Sequence, residues 1–102
     1  MASAFNESPT RRYLFDSGQR LTTSGAAAVR SAALPQCERV CLHASGRGFF
    51  RLGDSAVTAT VGAASMPLEA GEKFHLDVNV GEFISWIRDG ASDVSLTIIG
   101  CN

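Results

Sequence analysis

The sequence predicts an all-β protein: an antiparallel β-sandwich or jelly roll with an extended N-terminal arm. Three observations predict it. Short apolar segments alternate with polar residues at a period of two, as half-buried strands do. Clusters of Gly, Asp, Ser and Pro separate these segments about every 8–12 residues. No segment carries the sustained apolar stripe of an amphipathic helix.

Residues 1–25 read as the arm. They are rich in Ser and Thr, interrupted by Pro9, Gly18 and Gly25, and their apolar residues Tyr13, Leu14, Phe15 and Leu21 keep no regular period. Such a segment anchors a few side chains either on its own domain or on a neighbour. Residues 26–102 read as the sandwich. Residues 26–34 suit a short edge strand ahead of Pro35, although their alanines also suit a short helix. Residues 37–44 alternate, with Val40, Leu42 and Ala44 inward and Arg39, Cys41 and His43 outward. A turn at 45–48 leads to a short strand at 49–52. Residues 56–61 alternate again, Val57, Ala59 and Val61 against Thr58 and Thr60, and read as a further strand. A loop at 62–65 and a turn at 68–72 precede the most regular strand, 73–80. There Phe74, Leu76, Val78 and Val80 are expected to face in, and Lys73, His75, Asp77 and Asn79 to face out. Residues 82–88 are nearly all apolar, as in a strand covered on both faces. Asp89-Gly90 is a turn signal, and residues 94–99 form the last strand.

The chain has 102 residues, 45% of them apolar and 19% charged, with a net charge of −1. That is the length and balance of one globular domain. No apolar run reaches the length of a bilayer span, and no basic segment leads into the apolar stretch of a secretory leader. A pI near 6.0 argues against a general nucleic-acid binder. The small net charge hides a division. Residues 1–51 carry seven Arg and three acids, a net of +4; residues 52–102 carry Lys73 and Arg88 against seven acids, a net of −5. The two halves either pair within one domain or meet between chains. Eight of the nine basic residues are Arg, the cation suited to interfaces.

The residues that carry chemistry form no site. Three cysteines, Cys37, Cys41 and Cys101, make no disulfide framework and are expected as thiols in a cytoplasmic product. On one strand Cys37 and Cys41 lie about 13 Å apart, too far to share a disulfide or a zinc ion. His43 and His75 fall at outward positions of separate strands. No nucleophile elbow and no phosphate-binding glycine loop is present. Phe49-Phe50 between Arg47 and Arg51 has the composition of a base-stacking platform, but aromatics in such a strand more often fill a core. No catalytic residue, metal or cofactor is therefore expected, and the chain reads as a non-enzyme.

Residues 64–76 (ASMPLEAGEKFHL), 84–90 (ISWIRDG) and 94–98 (VSLTI), with 50–60 (FRLGDSAVTAT) between strands, resemble small virion proteins of tailed bacteriophages. The shared pattern is a Pro-Leu…Gly-Glu turn, a strand that starts on an aromatic residue, and an Ile-Ser ending. It spans roughly 40–99 and does not include the arm. The resemblance implies a β-sandwich or jelly-roll cement (decoration) protein on the outside of a capsid, clamping neighbouring major capsid proteins. It implies a virion location, self-association, with a trimer at a local three-fold axis favoured by analogy, and neither nucleic acid nor membrane as partner. Arg and aromatic side chains dominate interfaces, so Arg11, Arg12, Tyr13, Phe15 and Arg20 are the expected contacts. The alternative readings are a head–tail connector, a tail or fibre module, or a small cupin- or lectin-like ligand binder with a polar interior.

Overall fold

A computed structural model describes residues 13–37 and 39–101. Among them are eight strands and no helix: β1 (Tyr13–Thr22), β2 (Val29–Arg30), β3 (Arg39–Ala44), β4 (Gly48–Gly53), β5 (Met66–Leu68), β6 (Lys73–Asp77), β7 (Phe83–Arg88) and β8 (Ser95–Cys101). They form two four-stranded antiparallel sheets, ordered β1-β8-β3-β6 and β2-β7-β4-β5, compatible with a β-sandwich. One core draws on both sheets: Val40, Leu42, Leu96 and Ile98 from the first, Phe50, Leu68, Ile84 and Trp86 from the second. The ring of Phe50 meets that of Phe74 across the layers, with centroids 5.6 Å apart.

Every ladder joins a strand of β1–β4 to a strand of β5–β8. The first half of the chain therefore pairs with the second half throughout, and the charge division follows the same line. Of the four ion pairs among the described residues, Arg39–Asp77, Arg47–Glu69 and Arg47–Asp89 join the basic half to the acidic half. Arg39 and Asp77 are direct cross-strand partners in the β3–β6 ladder, where opposite charges stabilise and like charges destabilise. Pairing within one domain thus accounts for part of the charge division: Arg39 and Arg47 of the first half meet three acids of the second.

Four expectations change. Residues 13–22, placed in an extended arm, form β1 and pair with β8, and Leu21 and Thr23 are buried. The pairing slips between Leu14 and Gln19, which is why the apolar period of this segment is broken. Residues 56–61 are not a strand. Val57 and Ala59 are buried as their alternation requires, but the Ala59 N–H donates to Ser85 Oγ rather than to a strand backbone. That bond sets the segment against the outer side of β7, where Ser85 is buried and Phe83 and Ile87 are half-buried. Val80 is 66% exposed and lies beyond β6, not on its inner face. Met66–Leu68, which run from the end of the expected loop at 62–65 into the first residue of the expected turn at 68–72, form β5 against β4.

β6 is bounded by two copies of one turn. In Glu69-Ala70-Gly71-Glu72 and in Asn79-Val80-Gly81-Glu82, the fourth N–H donates to the first C=O, at 3.0 and 3.2 Å. Each glutamate carboxylate also accepts the N–H of its turn's first residue, at 2.9 and 2.6 Å. Gly71 and Gly81 have φ of 77° and 83° in the third position, which only glycine adopts without strain. Val80 occupies the second position of such a turn, and that explains its exposure.

Candidate functional site

The outer face of the β1-β8-β3-β6 sheet brings two exposed aromatics, Tyr13 and Phe15, together with exposed cationic side chains. Alternation along β3 buries Val40, Leu42 and Ala44 and so turns Arg39, Cys41 and His43 outward. Ladder register then sets their neighbours. Arg20 pairs with Thr97, Thr97 with His43, and His43 with Lys73, so one row crosses all four strands and carries Arg, Thr, His and Lys. The adjacent row places Ile99, Cys41 and His75 side by side.

Tyr13 and Phe15 border this face on β1. Their rings lie 6.1 Å apart, and Phe15 is 75% exposed. The slip in the β1–β8 pairing presents them. Ser17 Oγ donates to the Leu14 carbonyl at 2.6 Å and accepts the Gly100 N–H at 3.1 Å. One hydroxyl thereby replaces ladder bonds, and Phe15 sits on the loop it closes. A groove of about 400 Å³ lies between the two aromatics and the strands, floored by Cys41, Ile99 and Thr97 and flanked by His43 and Lys73. Covering a side chain the size of Phe stabilises a contact by about 2–3 kcal/mol. Phe15 alone is thus a substantial anchor.

Three of the five expected contacts, Tyr13, Phe15 and Arg20, fall on this one sheet; Arg11 and Arg12 lie outside the described residues. Cys41, His43, Lys73, Thr97 and Ile99 join them, none of which was singled out as a contact from sequence. Phe49 and Phe50 are 8% and 4% exposed, so neither offers a face for base stacking. Phe49 instead lies beneath the Arg47 guanidinium, 5.5 Å from ring centroid to carbon. Among the described residues no three His, Cys, Asp or Glu gather as metal ligands, and no helix is long and apolar enough to cross a membrane. The cysteines are thiols. Burial pushes the Cys37 thiol above its ordinary range, partly offset by the Cys101 and Arg39 backbone N–H groups.

Asp93 is the most heavily engaged acid. It accepts the Gly25 N–H at 2.9 Å, Arg88 Nη1 at 2.7 Å and Thr23 Oγ1 at 3.4 Å. The Gly25 N–H, then Arg88 and Thr23, hold its carboxyl below the usual range. These bonds tie the end of β1 to the start of β8, so Asp93 is structural. No protein-family model matches the chain, and comparison with curated proteins and with solved structures returns no significant match.

Proposed function

We propose that this chain is a structural virion protein, a decoration protein that binds the outer surface of a bacteriophage head and clamps neighbouring major capsid proteins. The observation that carries the reading is the aromatic-edged groove on the outer face of the β1-β8-β3-β6 sheet. Phe15 and Tyr13 offer apolar anchors there, and Arg20, His43 and Lys73 supply a cationic row beside them. Such a face suits a coat-protein surface with an apolar seam and an acidic rim. The strand order supports a jelly roll: β1 pairs with β8, β2 with β7, β3 with β6 and β4 with β5, as in a long hairpin rolled into two sheets. The bacteriophage resemblance of residues 40–99 supports the same class. The interior is filled by side chains of both sheets, Leu42, Leu96 and Trp86 among them, and that speaks against the ligand-binding alternative.

Expanded heads assembled without the chain provide the test. Purified wild-type protein is expected to co-sediment with them and to raise the temperature at which they come apart. Phe15→Ser is expected to leave the protein's own stability within about 0.5 kcal/mol, as for an exposed side chain, and to abolish co-sedimentation. Wild-type protein that stays in the supernatant overturns the reading, and so does a Phe15→Ser variant that binds as well as wild type.

A further inference from the structure

We infer that residues 54–65 are a lid, a loop that opens as a unit from the outer face of the β2-β7-β4-β5 sheet while the two sheets stay folded. The loop leaves the end of β4 and returns beside it, because Met66 of β5 pairs with Phe50. Hairpin connections usually take about 2–5 residues; this one takes twelve, 54–65. Long loops whose ends lie close together form compact units of their own and frequently carry function. Of the twelve, Val57 and Ala59 alone are buried. Elsewhere the loop stands off β4: open crevices of about 370 and 300 Å³ separate its first and second legs from Arg51 and Leu52.

The hydrogen bonds divide the same way. In the first leg the Val57 N–H donates to the Asp54 carbonyl and the Ala56 N–H to the Asp54 carboxylate, at 3.0 and 2.9 Å. In the second leg the Thr60 N–H donates to Ser65 Oγ and the Ser65 N–H to the Gly62 carbonyl, at 3.0 and 3.3 Å. Each leg therefore keeps its shape without help from the sheet. Two bonds fasten the loop to the rest of the described residues. Arg30 Nε donates to the Val57 carbonyl at 2.9 Å, and the Ala59 N–H donates to Ser85 Oγ at 2.8 Å. Both rest on one cross-strand pair, Arg30 of β2 and Ser85 of β7. The Ser85 hydroxyl donates its proton to the Val29 carbonyl at 3.1 Å and so offers only its lone pairs to the loop. This pair is the latch.

A region held by little buried area and few hydrogen bonds opens at a lower free energy than the whole fold. Gly53 sets the fit of the closed lid. A Cβ there would lie 2.9 Å from Val57 Cγ2 and 3.0 Å from Val57 Cβ, so a methyl group would push Val57 from its seat. Opening uncovers Ser85 between its two ladder partners, Arg30 and Arg51, on the sheet that does not carry the aromatic groove. The lid thus gates one cross-strand row of two arginines and a serine. It does not depend on the capsid reading.

Amide exchange of the full chain, followed residue by residue by NMR, is the test. The Ala59 N–H reports the latch, and the amides of the β3–β8 ladder report global unfolding. In the wild-type protein Ala59 is expected to be protected, yet to exchange about a hundredfold or more faster than the slowest ladder amides. Its rate should barely change in dilute urea, because a local opening exposes little surface. Ile98→Val thins the core on the other sheet. It is expected to speed the ladder amides about fivefold and to leave Ala59 within about twofold of wild type. Arg30→Ala and Gly53→Ala act on the closed lid, and each is expected to speed Ala59 about fivefold or more. Arg30 is exposed, so its variant serves even where Gly53→Ala, within the β4–β7 ladder, fails to fold. An Ala59 amide that exchanges in step with the ladder, in wild type and in Ile98→Val alike, overturns the proposal, because the loop then opens only with the whole fold. An Ala59 amide as fast as in an unfolded peptide does the same, and so does an Arg30→Ala variant with unchanged Ala59 exchange.

Discussion

Gly48 is where a single methyl group should do most damage. A Cβ built there would lie 2.5 Å from Trp86 Cη2, 2.6 Å from Trp86 Cζ2 and 2.6 Å from the Ile87 carbonyl oxygen. Ordinary carbon contacts lie at about 3.5–4.0 Å, so the overlap is on the order of 1 Å against three atoms at once. Neither obstacle has room to retreat. Trp86 is 0% exposed and its Nε1 donates to the Val94 carbonyl at 3.3 Å. The Ile87 carbonyl belongs to the β4–β7 ladder, in which Gly48 pairs with Arg88. Gly48 is not among the glycines with positive φ, so the demand is for space, not for a special conformation. Overpacking a filled core costs about 1–3 kcal/mol. With backbone and a fully buried ring both in the way, Gly48→Ala is expected at the upper end, about 3 kcal/mol. For a domain of this size that lowers Tm by roughly 10–20 °C. Thermal and urea melts followed by circular dichroism measure it. Trp86→Phe deletes both ring atoms and is destabilising alone, but in the double variant it should relieve part of the clash. The coupling is then about 1 kcal/mol or more in favour of the pair. A Gly48→Ala variant within 0.5 kcal/mol of wild type would refute the steric reasoning, as would strict additivity with Trp86→Phe.

Two further outcomes follow from groups around the core. Asp93 has its carboxyl held below the usual range, first by the Gly25 N–H and then by Arg88 and Thr23. A depressed carboxyl contributes stability that is present above its unfolded value of about 4 and lost as pH falls through the lower folded value. Asp93→Asn should therefore lower Tm at neutral pH and flatten the acid limb of the Tm–pH curve. Equal curves for the two proteins would contradict this. Cys37 and Cys101 are 9% and 0% exposed, whereas Cys41 is half-buried on the outer face, and burial raises the Cys37 thiol. Iodoacetamide at neutral pH should alkylate Cys41 well before the other two, which should react only as the chain unfolds. Mass mapping that finds Cys37 modified as fast as Cys41 would contradict it.

Alternation made β3, β6 and β8 legible, because each sets apolar residues toward the core at a period of two, and a nearly continuous apolar run did the same for β7. It failed at β1 for a physical reason. Residues between Leu14 and Gln19 leave the ladder, a serine hydroxyl takes over the bonding, and the period is lost with the pairing. It over-reached at 56–61, since alternation reports burial and not the partner; Val57 and Ala59 are buried, but the Ala59 N–H bonds to the Ser85 side chain instead of a strand. Val80 continues the apolar rhythm of β6 in sequence while belonging to a turn. Three residues with a central proline gave β5 no local signal. The charge division was visible at once, yet its meaning depended on topology: each half is the pairing partner of the other. Tyr13, Phe15 and Arg20 could be picked out by residue type. Cys41, His43, Lys73, Thr97 and Ile99 could not, because register alone brings three strands' outward residues beside them.

The functional proposal is tested most directly by the copy number of this chain in phage particles purified from a culture that expresses it. Quantitative mass spectrometry against the major capsid protein gives that number. A decoration protein should be present in a simple ratio to the major capsid protein, and should be lost first when the outer surface is stripped under mild conditions. A chain absent from the particles, or present only in the few copies of a connector or fibre, would contradict it.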